Sequence, residues 1–266
     1  SRLKDPTLMD DLNAMMDVWE VVNARMTDEE KSWTRNTEIR KTLDTLNMYP
    51  NEFWKYPVTV YYLEHRNVEG FEDKFLAFLK KLAAEMFAKF LKTPTVSAVK
   101  PGVMKLNASI LKSDTPEFEF GDVDWKSIRD QIKLPNKRSF RMLLALHAYT
   151  EQDDLLPAKW EIEHIFPKKW QSSHFPTYDE SIVNEKIEHI GNKAPFEKKL
   201  NIVASNGYFE KKQKEYEKSK VEVTRVLSEK SPASWELPDI DERDVRVTDA
   251  IIETLKKWSG NYQAST

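Results

Sequence analysis

Residues 70–92, GFEDKFLAFLKKLAAEMFAKFLK, constrain the fold most, because their apolar side chains recur at the spacing of one face of an α-helix. Glycine is scarce, with six residues in 266, and lysine, glutamate, leucine and alanine are frequent, which also favours helices. Residues 56–65, YPVTVYYLEH, fit either a buried helix or a strand. Further helical patterns lie in residues 7–26, 28–48, 124–133, 138–150 and 239–258. The sequence therefore predicts a mainly α protein.

The apolar content is sufficient for a packed core, since 40% of the residues are hydrophobic and 11% are aromatic. We interpret residues 1–150 as a helical bundle whose methionine and aromatic side chains form that core. No apolar run is long enough to span a membrane. The chain has no cysteine, which excludes disulfides, thiolate zinc sites and a cysteine nucleophile, and which is consistent with a cytoplasmic location.

The sequence pattern changes near Asp153 and Asp154, so we predict a helical region over residues 1–152 and a second domain over residues 153–266. The second domain starts with WEIEHIFP, which predicts a short strand that ends before Pro167. Residues 187–192, IEHIGN, are predicted to form a second short strand. Residues 207–220, GYFEKKQKEYEKSK, are polar and basic and predict a surface helix.

Glu163 and His164 end the first predicted strand, Asn192 follows Gly191, and Asn201 lies nine residues further on. An acid–histidine pair followed by asparagines at this spacing is typical of an HNH (ββα-metal) nuclease site. Histidine can deprotonate water near neutral pH, and carboxylate and amide oxygens suit Mg²⁺, with Mn²⁺ as the alternative ion. We predict His164 as the general base, Asn192 as the residue that orients it, and Glu163 and Asn201 as metal ligands.

Each of these residues also has a structural interpretation. His164 fits a buried strand end, Asn192 fits a turn after glycine, and Asn201 fits a helix cap. Asn206 competes with Asn201 as the metal ligand. His189 is interpreted as a loop or surface histidine.

Four segments carry a family resemblance, and they occur in the order IEHIFP (162–167), IGNKAPFEKKLN (190–201), ASNGYFEKKQKEYEKS (204–219) and WELPDIDERDVRVTDAIIETLKKW (235–258). Together they resemble the HNH (His-Me finger) nuclease domain at the C-terminus of GmrSD-type, modification-dependent restriction enzymes. The residues that match the later part of the family pattern are Asn206, Phe209, Lys212, Tyr216, Trp235, Ile240, Arg243 and Trp258.

Two positions depart from the family pattern. Lys193, Ala194, Pro195 and Phe196 stand where the family usually has a Leu-Thr-Leu-Leu run, and proline interrupts strand pairing. Glu163 stands where aspartate is common beside the histidine. These departures affect the expected metal geometry more than they affect the expected role of the histidine.

The resemblance implies a helical N-terminal region followed by a small ββα-metal HNH nuclease core embedded among helices. It implies a metal-dependent DNA endonuclease or nickase that acts as the effector half of a phage-defence restriction system. Its partners would be DNA, including modified phage DNA, and a nucleotide-using N-terminal sensor domain or subunit. The given sequence starts SRLKDP without an initiator methionine and has no segment like that sensor, so we expect the sensor to lie outside it.

The net charge of −3 argues against binding nucleic acid through bulk charge. Local cations cluster near the predicted site, and we predict phosphate contacts for Lys198, Lys199 and Lys212, although lysine runs more often form solvated helix faces. Two other functions remain open from the sequence. One is an RNA-directed nuclease that uses the same site, and the other is a catalytically inactive helical interaction module.

Overall fold

The computed structural model describes residues 7–264, which are mainly helical, as predicted. Its α-helices are α1 (Leu8–Trp19), α2 (Thr37–Asn47), α3 (Lys55–His65), α4 (Phe71–Lys92), α5 (Val96–Ile110), α6 (Trp125–Lys133), α7 (Phe140–Glu151), α8 (Glu180–Lys186), α9 (Lys198–Ala204), α10 (Phe209–Tyr216), α11 (Glu222–Arg225) and α12 (Leu237–Gly260). Two short strands, β1 (Trp160–His164) and β2 (Lys193–Glu197), form an antiparallel pair. No helix in this part of the chain is long and apolar enough to cross a membrane.

The chain divides into two compact units. The first contains the residues up to Asp124 and those from Leu255 onward, and the second is Trp125–Thr254. Helices α6 and α7 precede the predicted domain boundary at residues 152 and 153, yet they lie in the second unit together with both strands. The functional division at that boundary remains a prediction, because compact units describe packing and do not mark where an activity resides.

The core of the first unit is built around α4, which contacts α2, α3 and α5. The apolar stripe of α4 is buried, and Phe75, Phe78 and Leu82 have no exposed surface. Tyr61 of α3 stacks on Phe78 with 4.1 Å between the ring centroids. The segment that fitted either a helix or a strand is therefore the helix α3, because its tyrosines pack sideways against a neighbouring helix.

The interpretation of the methionines as core residues is wrong for several positions. Met9, Met16, Met26 and Met104 are between 54% and 63% exposed. Most aromatic residues of the same unit are buried, with Trp54 only 1% exposed, although Tyr56 is 56% exposed. Large rings remove more apolar surface from water than a thioether chain does, so they have priority for the limited space of the core.

The second strand starts later than predicted, because Ile190–Asn192 form a 3₁₀ turn and β2 begins at Lys193. In the register of the pair, Pro195 lies opposite Ile162. Proline is tolerated here since both strands of a two-stranded sheet are edge strands. The Pro195 carbonyl accepts a hydrogen bond from Thr224 Oγ1 at 2.6 Å, which ties β2 to α11.

The helix predicted at the surface within residues 207–220 is instead partly a core element. Phe209, Lys212 and Tyr216 of α10 are at most 3% exposed and lie on one face of the helix. Phe209 and Tyr216 join Phe166 and Phe196 in one apolar cluster beside the strands. The helix is short and rich in lysine, and only three of its positions are buried. Its sequence alone therefore did not reveal the buried face.

In residues 239–258 the sequence predicts an apolar stripe of five residues at helical spacing, namely Ile240, Val247, Ile251, Leu255 and Trp258, and the structure agrees with it. Ile240, Val247, Ile251 and Leu255 of α12 are fully buried. Trp258, the fifth residue of that stripe, is half-buried.

His147 of α7 is 4% exposed, and burial together with the positive charges of Arg243 and Arg246 lowers its pKa from 6.5 to about 3. The folded protein keeps this ring neutral, whereas the unfolded chain protonates it below pH 6.5. This difference stabilises the fold above pH 6.5, and the stabilisation is lost as the pH falls from 6.5 towards 3.

We expect the free energy of unfolding of His147→Gln to fall less on acidification than that of the unsubstituted protein. The difference should be about 2–3 kcal/mol between pH 7 and pH 4.5, as measured by urea denaturation at both values. The matched control is His174→Gln, because His174 is exposed in a loop. Equal pH dependence of His147→Gln and the unsubstituted protein would contradict the assignment.

Candidate active site

The predicted catalytic residues meet at one end of the strand pair. His164 is the last residue of β1 and lies opposite Lys193, the first residue of β2. The side chain of His164 is 23% exposed, so one edge of its ring is within reach of solvent. A half-exposed histidine at a strand end is well placed to meet a substrate, in contrast to a histidine enclosed in the core.

Asn192 holds the backbone that follows His164. Its Oδ1 accepts a hydrogen bond from the Phe166 N–H at 2.7 Å, and its Nδ2 donates to the Phe166 carbonyl at 3.1 Å and to the Ile187 carbonyl at 3.2 Å. The Asn192 carbonyl accepts a further bond from the Ile165 N–H at 3.0 Å. Asn192 has no exposed surface. It therefore positions the His164 segment through the main chain, and these bonds do not involve the imidazole ring.

Glu163 lies on the other face of the hairpin, because successive side chains of a strand point to opposite faces. Its Oε1 accepts a hydrogen bond from the Tyr216 hydroxyl at 2.8 Å and forms an ion pair with Lys212 Nζ at 2.7 Å. Lys212 also donates to the His164 carbonyl. Burial lowers the pKa of Lys212 and raises that of Tyr216, and the neighbouring Glu163 opposes the first shift and adds to the second.

This geometry bears on two of the predicted roles. Lys212 is 1% exposed and its partner Glu163 is 3% exposed, so the predicted phosphate contact would require this enclosed ion pair to open. Glu163 is 3% exposed and its Oε1 is engaged by two donors. A metal ion at Oε1 of Glu163 would compete with the ammonium of Lys212 for this oxygen.

The remaining predicted residues lie on or next to α9. Lys198 and Lys199 are exposed on the first turn of that helix, as a phosphate contact requires. Asn201 is half-buried one turn further on. Asn206 has a structural role, because its Oδ1 accepts from the Lys169 N–H at 2.9 Å and its Nδ2 donates to the Lys169 carbonyl at 2.7 Å. Asn206 thus fixes the loop after β1, and its amide oxygen already accepts one hydrogen bond.

The imidazole of His164 is held by residues that the sequence pattern did not assign to the site. Lys193 Nζ lies 2.5 Å from His164 Nε2 and 2.9 Å from Glu188 Oε2. Glu188 Oε1 is 3.9 Å from His164 Nε2. Burial, and then the nearby ammonium of Lys193, lower the pKa of His164 from 6.5 to about 4. His164 is therefore a neutral imidazole at physiological pH.

The available signal for Lys193 was its departure from the family pattern, in which an apolar residue is usual after the Gly-Asn pair. Glu188 carries no comparable signal, because it is one of many glutamates and precedes a turn.

Helix α12 holds the turn that leads into β2. The Nη1 of Arg243 donates to the carbonyls of Ile190, Gly191 and Lys193 at 3.3, 3.0 and 2.7 Å. Asp244 Oδ1 accepts from the Gly191 N–H at 2.6 Å. A Cβ atom on Gly191 would lie 2.3 Å from the Ile240 carbonyl oxygen, so only glycine allows α12 to approach this closely.

His189, Asp241 and Asp244 form the single group of three metal-ligand side chains found among the described residues, with ligand atoms within 4.8 Å of one another. One imidazole and two carboxylates suit a divalent ion. His189 lies in a loop, which agrees with one of its two interpretations, but it is only 3% exposed and is therefore not a surface histidine. Its Nδ1 lies 2.6 Å from Asp244 Oδ2, and Lys186 pairs with Asp241.

Comparison with known proteins identifies one family. Residues 122–249, a little under half of the chain, match the family model described as GmrSD restriction endonucleases, C-terminal domain. The matched segment includes His164, Asn192 and Arg243 and establishes the resemblance to that domain. Neither the curated proteins nor the solved structures include a match to this chain.

We expect Gly191→Ala to lower the free energy of unfolding by about 2–3 kcal/mol, because the added methyl group must separate α12 from the turn. Gly260→Ala is the matched control, since a Cβ atom there meets nothing within 4 Å. Urea denaturation measures both changes. A stability loss at Gly191 no larger than that at Gly260 would contradict the close approach.

We expect Lys212→Met to destabilise the protein by about 3–5 kcal/mol, because it leaves the Glu163 carboxylate buried without its cation. Lys214→Met, on the exposed face of the same helix, should change stability by about 0.5 kcal/mol or less. Adding Glu163→Gln to Lys212→Met should restore part of the loss. Equal stability of the Lys212 and Lys214 variants would instead favour a surface role for Lys212.

Proposed function

We propose that this chain is the nuclease module of a restriction system and hydrolyses phosphodiester bonds in DNA, as an endonuclease or nickase of the HNH type. The single observation that carries the proposal is the placement of His164, a neutral and partly exposed imidazole at a strand end. The match of residues 122–249 to the C-terminal domain of GmrSD restriction endonucleases supports a nuclease of this type. The strand pair β1–β2 and the helix α9 that directly follows it are the elements of the proposed ββα core.

In the proposed reaction, His164 takes a proton from a water molecule, and the resulting hydroxide attacks the phosphorus atom. The P–O bond to the leaving nucleoside breaks, and the leaving oxygen gains a proton from solvent. A general base of this kind contributes about 10²–10⁴ to the rate. Asn192 contributes by holding the main chain on both sides of Ile165, so that the ring starts from a defined position.

Mg²⁺, or Mn²⁺ in its place, is the proposed cofactor, because nucleases of this family typically need a divalent metal. When bound, the ion would polarise the phosphate and stabilise the leaving oxygen. Glu163 and Asn206 already have protein partners, since Lys212 pairs with Glu163 Oε1 and the Lys169 N–H donates to Asn206 Oδ1. Asn201 on α9 remains the metal ligand that the sequence motif predicts. His189, Asp241 and Asp244 form the alternative set of donors.

The proposed substrate contact is made by Lys198 and Lys199, which are exposed at the start of α9. Lysine contacts to phosphate carry no sequence information. Selection of modified phage DNA would then be the task of a nucleotide-using sensor domain or subunit, as the family resemblance implies. We further propose a cytoplasmic location, which the absence of cysteine in the sequence supports.

We expect His164→Ala to reduce Mg²⁺-dependent nicking of supercoiled plasmid by at least about 10²-fold without changing the urea denaturation midpoint by much. His174→Ala is the matched control, because His174 lies in an exposed loop. Asn201→Ala should raise the Mg²⁺ concentration needed for half-maximal rate.

Matched duplex DNA and RNA substrates separate the possible outcomes. Cleavage of RNA alone would identify an RNA-directed nuclease. Full activity of a folded His164→Ala protein would overturn the assignment of the base. The absence of any cleavage under all metal conditions would favour an inactive interaction module.

A further inference from the structure

The contact between Lys193 and His164 has a consequence for the proposed general base. Lys193 starts β2 and faces His164 across the strand pair. Its side chain is only 2% exposed, and its ammonium also lies over the Phe140 ring at 5.2 Å. A buried lysine is costly unless its charge is compensated, and Glu188 supplies the compensating carboxylate at 2.9 Å.

The protonation of this cluster follows from the donors available. A protonated lysine has three N–H donors and no acceptor. In the 2.5 Å contact, His164 Nε2 must therefore be the acceptor, which uses the lone pair of that nitrogen. The proton of the neutral ring then resides on Nδ1. In this state neither ring nitrogen has a free lone pair, so His164 is unable to take a proton from water.

The charges around the cluster support a protonated lysine. Burial lowers the pKa of Lys193 from 10.5 to about 8, in part offset by Glu188, while Lys168 and Lys137 lower it further. The ammonium is thus the major form at pH 7. Burial is the largest single influence on Glu188 and raises its pKa, but the hydrogen bond and charge of Lys193 together with His164 and Lys168 outweigh it, so the pKa is lowered and this carboxylate is charged.

We propose that Lys193 caps the Nε2 atom of His164 in the free protein, and that a phosphate oxygen of the substrate draws the ammonium away and so frees the base. This inference rests on the proposed function for its substrate, a phosphodiester. The phosphate offers the ammonium a new anionic acceptor, and the carboxylate that now holds the ammonium, Glu188, is itself 35% exposed. Lys193 would then contact the phosphate in the complex, which makes the chain unreactive until a phosphodiester is in place.

The test measures the ring nitrogens of His164 directly, by ¹⁵N–¹H correlation spectra of the full chain at pH 7. The unsubstituted protein should show the tautomer with the proton on Nδ1 and a hydrogen-bonded Nε2. In Lys193→Met the Nε2 shift should lose the hydrogen-bonded value, and the tautomer should move towards Nε2–H. Dimethyl phosphate, a small phosphodiester anion, should move the Nε2 shift of the unsubstituted protein towards the value in Lys193→Met. Trimethyl phosphate is the neutral control of similar shape and should have no effect at equal ionic strength.

Several results would overturn the proposal. One is an Nε2–H tautomer in the unsubstituted protein, and another is an unchanged ring in Lys193→Met. An equal response to both phosphates, or no response to either, would show that a phosphodiester does not displace the ammonium. If Lys193→Met fails to fold, Glu188→Gln serves instead, because it removes the anchor of the ammonium while leaving a partly exposed amide.

The spectra do not depend on cleavage, so this inference and the proposed function fail separately. If the ring is capped but the protein cleaves no nucleic acid, the contact between Lys193 and His164 is supported and the proposed nuclease function is contradicted. If the ring is uncapped but the protein is an active nuclease, the nuclease function is supported and the proposed cap is contradicted.

Discussion

The candidate site depends on a single buried guanidinium group. Arg243 of α12 is 2% exposed and donates from one nitrogen to three main-chain carbonyls of the turn that leads into β2. Burial and the neighbouring Arg246 lower the pKa of Arg243 to about 10, so the group remains charged at neutral pH. A buried cation without acceptors would be strongly destabilising. The carbonyls of this turn satisfy Nη1 of Arg243, whereas its Nη2 is buried and has no hydrogen-bond partner among the described residues. This turn also positions Asn192, whose side chain accepts a hydrogen bond from the main chain that follows His164.

The strand alternation then gives two adjacent residues opposite environments. His164 lies on the face with Lys193 and Glu188, and one edge of its ring meets solvent. Glu163 lies on the other face, where Lys212 and Tyr216 enclose its carboxylate. A pattern that places an acid and a histidine side by side therefore does not place both at one reaction centre. In this protein the acid stabilises the packing of α10 on the hairpin, and the histidine remains the candidate for chemistry.

Two lysine side chains place positive charge near β1, and they differ in their surroundings. Lys212 and Lys193 are both buried, and each is compensated by one glutamate. The two pairs differ in access, because the side chain of Glu163 is 4% exposed and that of Glu188 is 35% exposed. An enclosed pair of this kind holds the fold together, whereas a pair at the edge can exchange its partner for a ligand. This difference is the physical basis for assigning a structural role to Lys212 and a role at the site to Lys193.

The sequence by itself determined the helical class, the extent of α4 and the apolar stripe of α12, because periodicity is a local property. Motif spacing also singled out His164 and Asn192 as candidate site residues. Only the tertiary structure decided which face each side chain occupies. Lys212 belongs to a lysine-rich run that predicts a solvated surface, and it became buried because a tyrosine one turn away and Glu163 lie beside it. By charge alone the sequence does not distinguish Lys193 from the other cations near the site, whereas the strand register places it opposite His164. Contacts between residues that are distant in sequence depend on register and packing, and a single sequence does not specify either one locally.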